Sequence, residues 1–233
     1  MIIRTLTSSH QSEMSYLTGL TLVYIVMLAP LLISADMPSE DVGKTLKITE
    51  KMYSNIFVRK REEQKQAVRR LVSAEDYSKK YDLLNIALTE ILRIIAQDGA
   101  KLQENDIFNG TDFPKETQLI EAFSRYVENT CFFGELILHL PDMSYRILKA
   151  TVGWRSQMID ALTYTRSFVN ILDQKSLELL SLLEQEIDES KRSNDYVNPY
   201  RESKKQPTAN SKKKKSKAKK GPQLTSNIPK TEL

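Results

Sequence analysis

Tyr126-Val-Glu-Asn-Thr-Cys-Phe-Phe-Gly-Glu-Leu-Ile-Leu-His-Leu-Pro141 is the second half of a helix whose pattern begins near Pro114. At 100° per residue, Leu119, Ile120, Phe123, Tyr126, Val127, Thr130, Cys131, Phe133, Gly134, Ile137 and Leu138 share one broad face. Glu121, Arg125, Glu128, Glu135 and His139 fall on the other. Phe132 points into that polar side, and Leu136 and Leu140 drift toward the same flank. A helix apolar in two directions is either sandwiched between neighbours or docks a partner.

Two readings of Phe132, Leu136 and Leu140 follow. In one, a second internal helix covers them, as expected for the central helix of a bundle. In the other they form a partner-binding patch, because an exposed aromatic among charges is otherwise a liability.

Working outward, Pro114 is expected to open the central helix and Pro141-Asp142 to end it. Upstream, Ser39 caps a first long helix whose stripe runs Val42, Leu46, Tyr53, Ile56, Phe57, Ala67, Val68 and Leu71. Its middle, Arg59-Lys-Arg-Glu-Glu-Gln-Lys-Gln66, puts Lys60 and Gln64 on the stripe and predicts a solvated centre, unlike a regular coiled coil. Ser73-Ala-Glu-Asp76 caps a second helix with a stripe of Tyr77, Tyr81, Leu84, Leu88, Ile91 and Ile95, stopped by Gln97-Asp-Gly99. A polar loop is expected from Gly99 to Phe113. Downstream, a less regular segment leads to Gly153, and Trp154, Met158, Ala161, Thr165, Phe168 and Leu172 mark a fourth helix. Asp173 breaks it before a fifth on Leu177, Leu180, Leu183 and Ile187. No run alternates as a strand does, so the fold class is all-α, an irregular bundle of about five helices. Asn194-Asp-Tyr-Val-Asn-Pro-Tyr200 reads as an extended strip lying on the bundle, with its tyrosines as anchors.

The chain of 233 residues, 40% hydrophobic, has room for one domain with appendages. Residues 203–233 hold ten Lys and one Glu, whereas the rest is mildly acidic. The expected layout is a signal peptide over 1–35, a helical domain over 36–202, a disordered Lys-rich tail over 203–229 and a retrieval signal over 230–233. Leu17–Ile33 is short, apolar and broken by Pro30, with small residues Ser34-Ala35 at its exit, which fits a cleaved signal. An uncleaved anchor is the alternative, since the run could just span a bilayer. Lys230-Thr-Glu-Leu233 resembles the Lys-Asp-Glu-Leu retrieval signal, so the endoplasmic-reticulum lumen, with partial secretion, is the expected location and a retrieval receptor an expected partner. Asn109-Gly-Thr111 is a glycosylation acceptor in the polar loop, whereas Asn129-Thr-Cys131 lies within the central helix and is expected bare.

Chemistry is sparse. Beyond the leader there is one His, His139, expected on the surface, and one Cys, Cys131, expected as a buried inert thiol. No catalytic residue, cofactor site or metal site is expected, and the carboxylates fall on faces that read as solvent-facing. Lys212–Lys220 would bind polyanions without sequence choice, and the leader argues against a nuclear role; no stable membrane insertion is expected once it is removed.

Val127-Glu-Asn-Thr-Cys-Phe-Phe-Gly134 followed by Leu138-His-Leu-Pro141 resembles the central segment of the coiled-coil domain-containing protein 134 family, which carries Val-Glu-Asn-Thr-Ala-Phe-Phe-Gly. Further anchors follow in order: Lys51-Met-Tyr53, Arg59-Lys-Arg-Glu-Glu-Gln64, Asn198-Pro199, Lys220-Gly-Pro222 and a terminal Glu-Leu. The resemblance implies a non-enzymatic lumenal protein that binds endoplasmin, the lumenal heat-shock chaperone, and protects it from excess N-glycosylation. It also implies an alternative, a secreted or nuclear regulator of mitogen-activated kinase signalling or of an acetyltransferase complex.

Overall fold

The computed structural model describes residues 48–109 and 112–201. The leader, the Ser39 cap, the Lys-rich tail and Lys230, Thr231, Glu232 and Leu233 lie outside these residues. Six α-helices are present among the described residues: α1 Glu50–Ser73, α2 Tyr77–Glu104, α3 Thr117–His139, α4 Pro141–Leu148, α5 Trp154–Arg166 and α6 Gln174–Ile187. Short 3-10 turns occupy Ile107–Asn109 and Glu189–Lys191, and no strand occurs among the described residues.

Local chemistry sets several boundaries. Thr49 caps α1 by accepting from the Met52 amide at 3.3 Å. Asp76 caps α2 by accepting from the amides of Ser78 and Lys79 at 2.9 and 3.2 Å, satisfying two donors that the first turn leaves without partners. Leu84, Leu88, Ile91 and Ile95 are buried as their spacing requires, but Tyr77 at the start of that stripe is exposed. Asp173 opens α6, as expected of a break at that position.

Several boundaries differ from the sequence reading, among them the end of α5 at Arg166, ahead of Phe168 and Leu172. Helix α2 does not stop at Gly99 but continues to Glu104. A Cβ at position 99 would lie 3.0 Å from Tyr126 Cε2, so this glycine marks a close approach of α2 to α3 rather than a helix end. Helix α3 starts at Thr117, not at Pro114. The residue ahead of that proline, Phe113, packs its ring between Tyr53 and Phe123, with centroids 5.6 and 5.5 Å away, and this holds the segment out of the helix. Pro141 ends α3 as expected and also begins the regular helix α4, where a missing amide costs no intrahelical bond. The hinge is Leu140, whose amide donates to Leu136 O and whose carbonyl accepts from the Ser144 amide, each at 2.9 Å.

All other helices pack against α3. Every side chain from Tyr126 to Leu138 is buried, and a Cβ on Gly134 would meet Leu183 Cδ2 of α6 at 3.3 Å. An aromatic cluster closes one end of the bundle. Phe123 meets Phe168 edge-on at 4.7 Å, and Phe108 stacks on Tyr164 at 4.2 Å.

Candidate functional site

Helix α3 is sandwiched, and this settles the reading of its second apolar flank. Phe132 is 2% exposed and Leu136 1%, so neither is available as a surface patch; Leu140 at the hinge is half-buried against the core. The expectation of a partner-binding site is corrected to a structural role at Phe132 and Leu136, while Leu140 is half-buried. Of the charges around Phe132, Glu128 and Glu135 are themselves buried by neighbouring helices and Arg125 is half-buried, so the flank that spacing makes solvent-facing lies largely inside the bundle.

Those charges build the most distinctive site of the described residues, a polar seam between α1 and α3. Arg61 of α1 is 1% exposed, and Glu128 and Glu135 of α3 are each 4% exposed. The Arg61 guanidinium donates to Glu135 Oε1 at 2.6 Å, to Gln64 Oε1 at 2.6 Å and to Ser176 Oγ of α6 at 3.3 Å. Gln64 in turn donates from Nε2 to the Glu128 carbonyl at 2.9 Å. The Tyr53 hydroxyl lies 3.4 Å from both the Ser124 carbonyl and Glu128 Oε1, and its single proton serves one of them at a time. The expected solvated centre of α1 is therefore corrected at Arg61 and Gln64, and the expected solvent-facing carboxylates at Glu128 and Glu135. Periodicity counts these side chains as polar, but Arg61, Gln64 and Glu135 find counterparts across the interface, which is the condition for burying them, whereas the Glu128 carboxyl has only the long contact to Tyr53.

Burial shapes the electrostatics. It pushes the Glu128 carboxyl up to about 7, against the weaker pull of Lys60 and the Tyr53 hydroxyl. It also raises Tyr53 well above the ordinary phenol value, with Glu128 adding to the effect, and pushes the Cys131 thiol up to about 11. Cys131 is fully buried and free, an inert core thiol in keeping with its place on the apolar face. On the next flank of α3, Arg125 grips Asp98 of α2 through Nε and Nη2 at 2.8 and 2.5 Å, and this pairing raises the guanidinium further. Asn129 is buried and donates its amide to the Arg125 carbonyl at 2.8 Å, which keeps it out of reach of a glycosyl donor.

A second structured feature is the strip that follows α6. Tyr196 Oη donates to Glu186 Oε2 at 2.8 Å, Asn198 Nδ2 donates to the Leu138 carbonyl at 2.9 Å, and Tyr200 stacks on His139 at 4.0 Å. Arg201 pairs with Asp142. The tyrosine-anchored strip expected from the sequence is present, and it half-buries His139, whose Nδ1 lies 2.9 Å from the Glu135 carbonyl. Helical spacing alone puts His139 on the surface; the cover that spacing cannot foresee is Tyr200. Among the described residues no group of three His, Cys, Asp or Glu side chains could hold a metal ion, and no helix is long and apolar enough to cross a membrane. Asn109 lies in the turn after α2, between the ring anchors Phe108 and Phe113.

A family model described as "ERK and JNK pathways, inhibitor" matches residues 38–225, most of the chain. The chain belongs to this family. The match covers all six helices of the inhibitor family member and runs into its Lys-rich tail. Similar curated proteins are both called coiled-coil domain-containing protein 134. The one from Mus musculus is 27% identical over 169 residues, covering 70% of this chain and 73% of the relative. The one from Xenopus tropicalis is 25% identical over 150 residues, covering 64% of this chain and 66% of the relative. These matches bear out the resemblance drawn from Val127–Gly134 and its flanking anchors. No solved structure matches the chain.

Proposed function

We propose that this chain is a non-enzymatic regulatory protein of the secretory pathway, which acts by binding a chaperone or a client of one through its helical body. The regulatory part of the reading is supported by the match to a family of pathway inhibitors across residues 38–225, and its secretory part by the apolar leader and the Lys230–Leu233 terminus. The resemblance to coiled-coil domain-containing protein 134 gives the finer form: the partner is endoplasmin, and binding limits its N-glycosylation during maturation. Lys230–Leu233 would return the protein to the lumen by a retrieval receptor. The structure contributes one constraint. Phe132 and Leu136 lie in the core, so partner recognition falls to the outer faces of the bundle or to segments beyond it.

Affinity purification of the full-length chain from a lumenal fraction, with identification of the bound proteins, tests this. Recovery of endoplasmin is the expected result; recovery of no chaperone would overturn it. The family description favours a second reading, a secreted damper of the ERK and JNK pathways. Under that reading purified protein added outside cells would lower phosphorylation of both kinases, whereas under the first it would not.

A further inference from the structure

The α1–α3 seam buries more carboxylate than cation. Arg61 is committed to Glu135, and Lys60 is paired with Glu63 at 3.2 Å near the surface. Arg125, on the adjoining flank of α3, grips Asp98 of α2. Among the described residues no cation forms an ion pair with Glu128, whose carboxylate has only the Tyr53 hydroxyl at 3.4 Å, a long contact. None of the remaining groups near the seam pairs with Glu128. Cys131 and Glu135 lie on the same helix as Glu128, Asp173 lies at the start of α6 with a buried Oδ1 that has no partner, and His139 sits against the far side of Glu135. A buried carboxylate one cation short is balanced most simply by a proton.

We propose that Glu128 is the proton-dependent element of a latch that holds helix α1 against the rest of the bundle, closed while the carboxyl is neutral and loosened when it ionises. Helix α1 is suited to this. Its packing is chiefly on α3, and its other ties are few: Ser54 Oγ donates to the Ile171 carbonyl at 3.0 Å, Arg61 Nε to Ser176, Lys80 Nζ of α2 to the Val72 carbonyl at 2.7 Å, and Tyr53 meets the Phe113 ring. An ionised Glu128 can regain hydration only by admitting water between α1 and α3, and that opens the seam.

The shift of this group agrees in direction. Its folded value of about 7 lies above the ordinary 4.5, so the folded state binds the proton more tightly than an open state does. Stability from the neutral carboxyl is therefore present at low pH, declines as pH rises from about 4.5, and is lost once pH passes about 7. With those two values, opening of α1 should become roughly tenfold more favourable between about pH 6 and about pH 8.

Native-state hydrogen exchange of the full-length chain, corrected for the intrinsic pH dependence of exchange, reads this directly. The amides of Tyr53 to Leu71 should exchange roughly tenfold faster at the upper pH, while those of Leu84 to Ile95 in α2 stay unchanged. Glu128→Gln, which mimics the neutral carboxyl, should remove the step and leave α1 slow to exchange at both pH values. A step that persists in Glu128→Gln, or no step in the natural chain, overturns the proposal. Carboxyl-carbon NMR of the natural chain stands apart from any folding defect in the variant: a Glu128 that titrates in the ordinary carboxylate range while the bundle is folded also overturns it.

Discussion

Phe132 shows how a side chain's neighbours on its own helix mislead about its surroundings. Its sequence setting between Arg125, Glu128 and Glu135 is charged, yet the ring is 2% exposed because each of those charges is engaged by another helix. Phe123 and Phe133, on the main apolar face, are 0% exposed, so all three rings occupy equivalent interior positions. Phe132→Ala should therefore cost about 3–5 kcal/mol, as expected for a fully buried phenylalanine. Urea denaturation would show it as a lower midpoint at unchanged slope, and a midpoint within error of the natural chain would contradict core placement.

At the scale of elements, α1 and α3 are joined by a patch that mixes aromatic packing with buried charge. Tyr53 meets Phe123 edge-on at 5.7 Å, while a few turns along Arg61 pairs with Glu135. A buried ion pair is weak evidence of net stabilisation, since the desolvation of both partners offsets much of their attraction. Removing one partner is another matter, because a buried charge is left uncompensated. Arg61→Met should destabilise by about 3–5 kcal/mol, and Arg61→Met with Glu135→Leu should recover most of that loss. Equilibrium unfolding of the single and double variants checks this; a double variant no more stable than Arg61→Met would show that the pair does not act as a unit. The same view explains the strip after α6. It is held by discrete polar contacts, Tyr196 on Glu186 and Asn198 on Leu138, with little of its own apolar surface buried: Val197 is 78% exposed.

For the molecule as a whole, the expected lumenal route makes two joint demands on the chain. Phe108 and Phe113, the ring anchors on either side of Asn109 in sequence, both pack into the aromatic cluster. Asn129, the other acceptor triplet, is inside. Glycosidase treatment should shift the protein by a single glycan, and Asn109→Gln should abolish the shift; a shift that persists would point away from Asn109. In the same cells, deletion of Lys230 to Leu233 should move the protein into the medium. Full retention in the truncated form would remove the case for a retrieval signal.

Features governed by near neighbours in the chain are legible in the sequence itself. The helix start signalled by Ser73–Asp76, although Asp76 and not Ser73 is the cap, the Leu84–Ile95 stripe, the break at Asp173 and the end of the central helix at Pro141 depend on contacts within a few residues, so residue type and spacing are enough. The same holds for the burial of Cys131 and for the all-α class. What spacing cannot disclose is which polar residues face each other. Arg61 and Glu135 are 74 positions apart, Gln64 and Glu128 are 64 apart, and Gly99 meets Tyr126 only because two helices cross there. A hydrophobic stripe records which side chains are costly to leave in water. It is silent on which charges will find a partner inside, and for that reason the polar middle of α1 and the polar face of α3, each plausibly solvated when taken alone, are two halves of one buried seam.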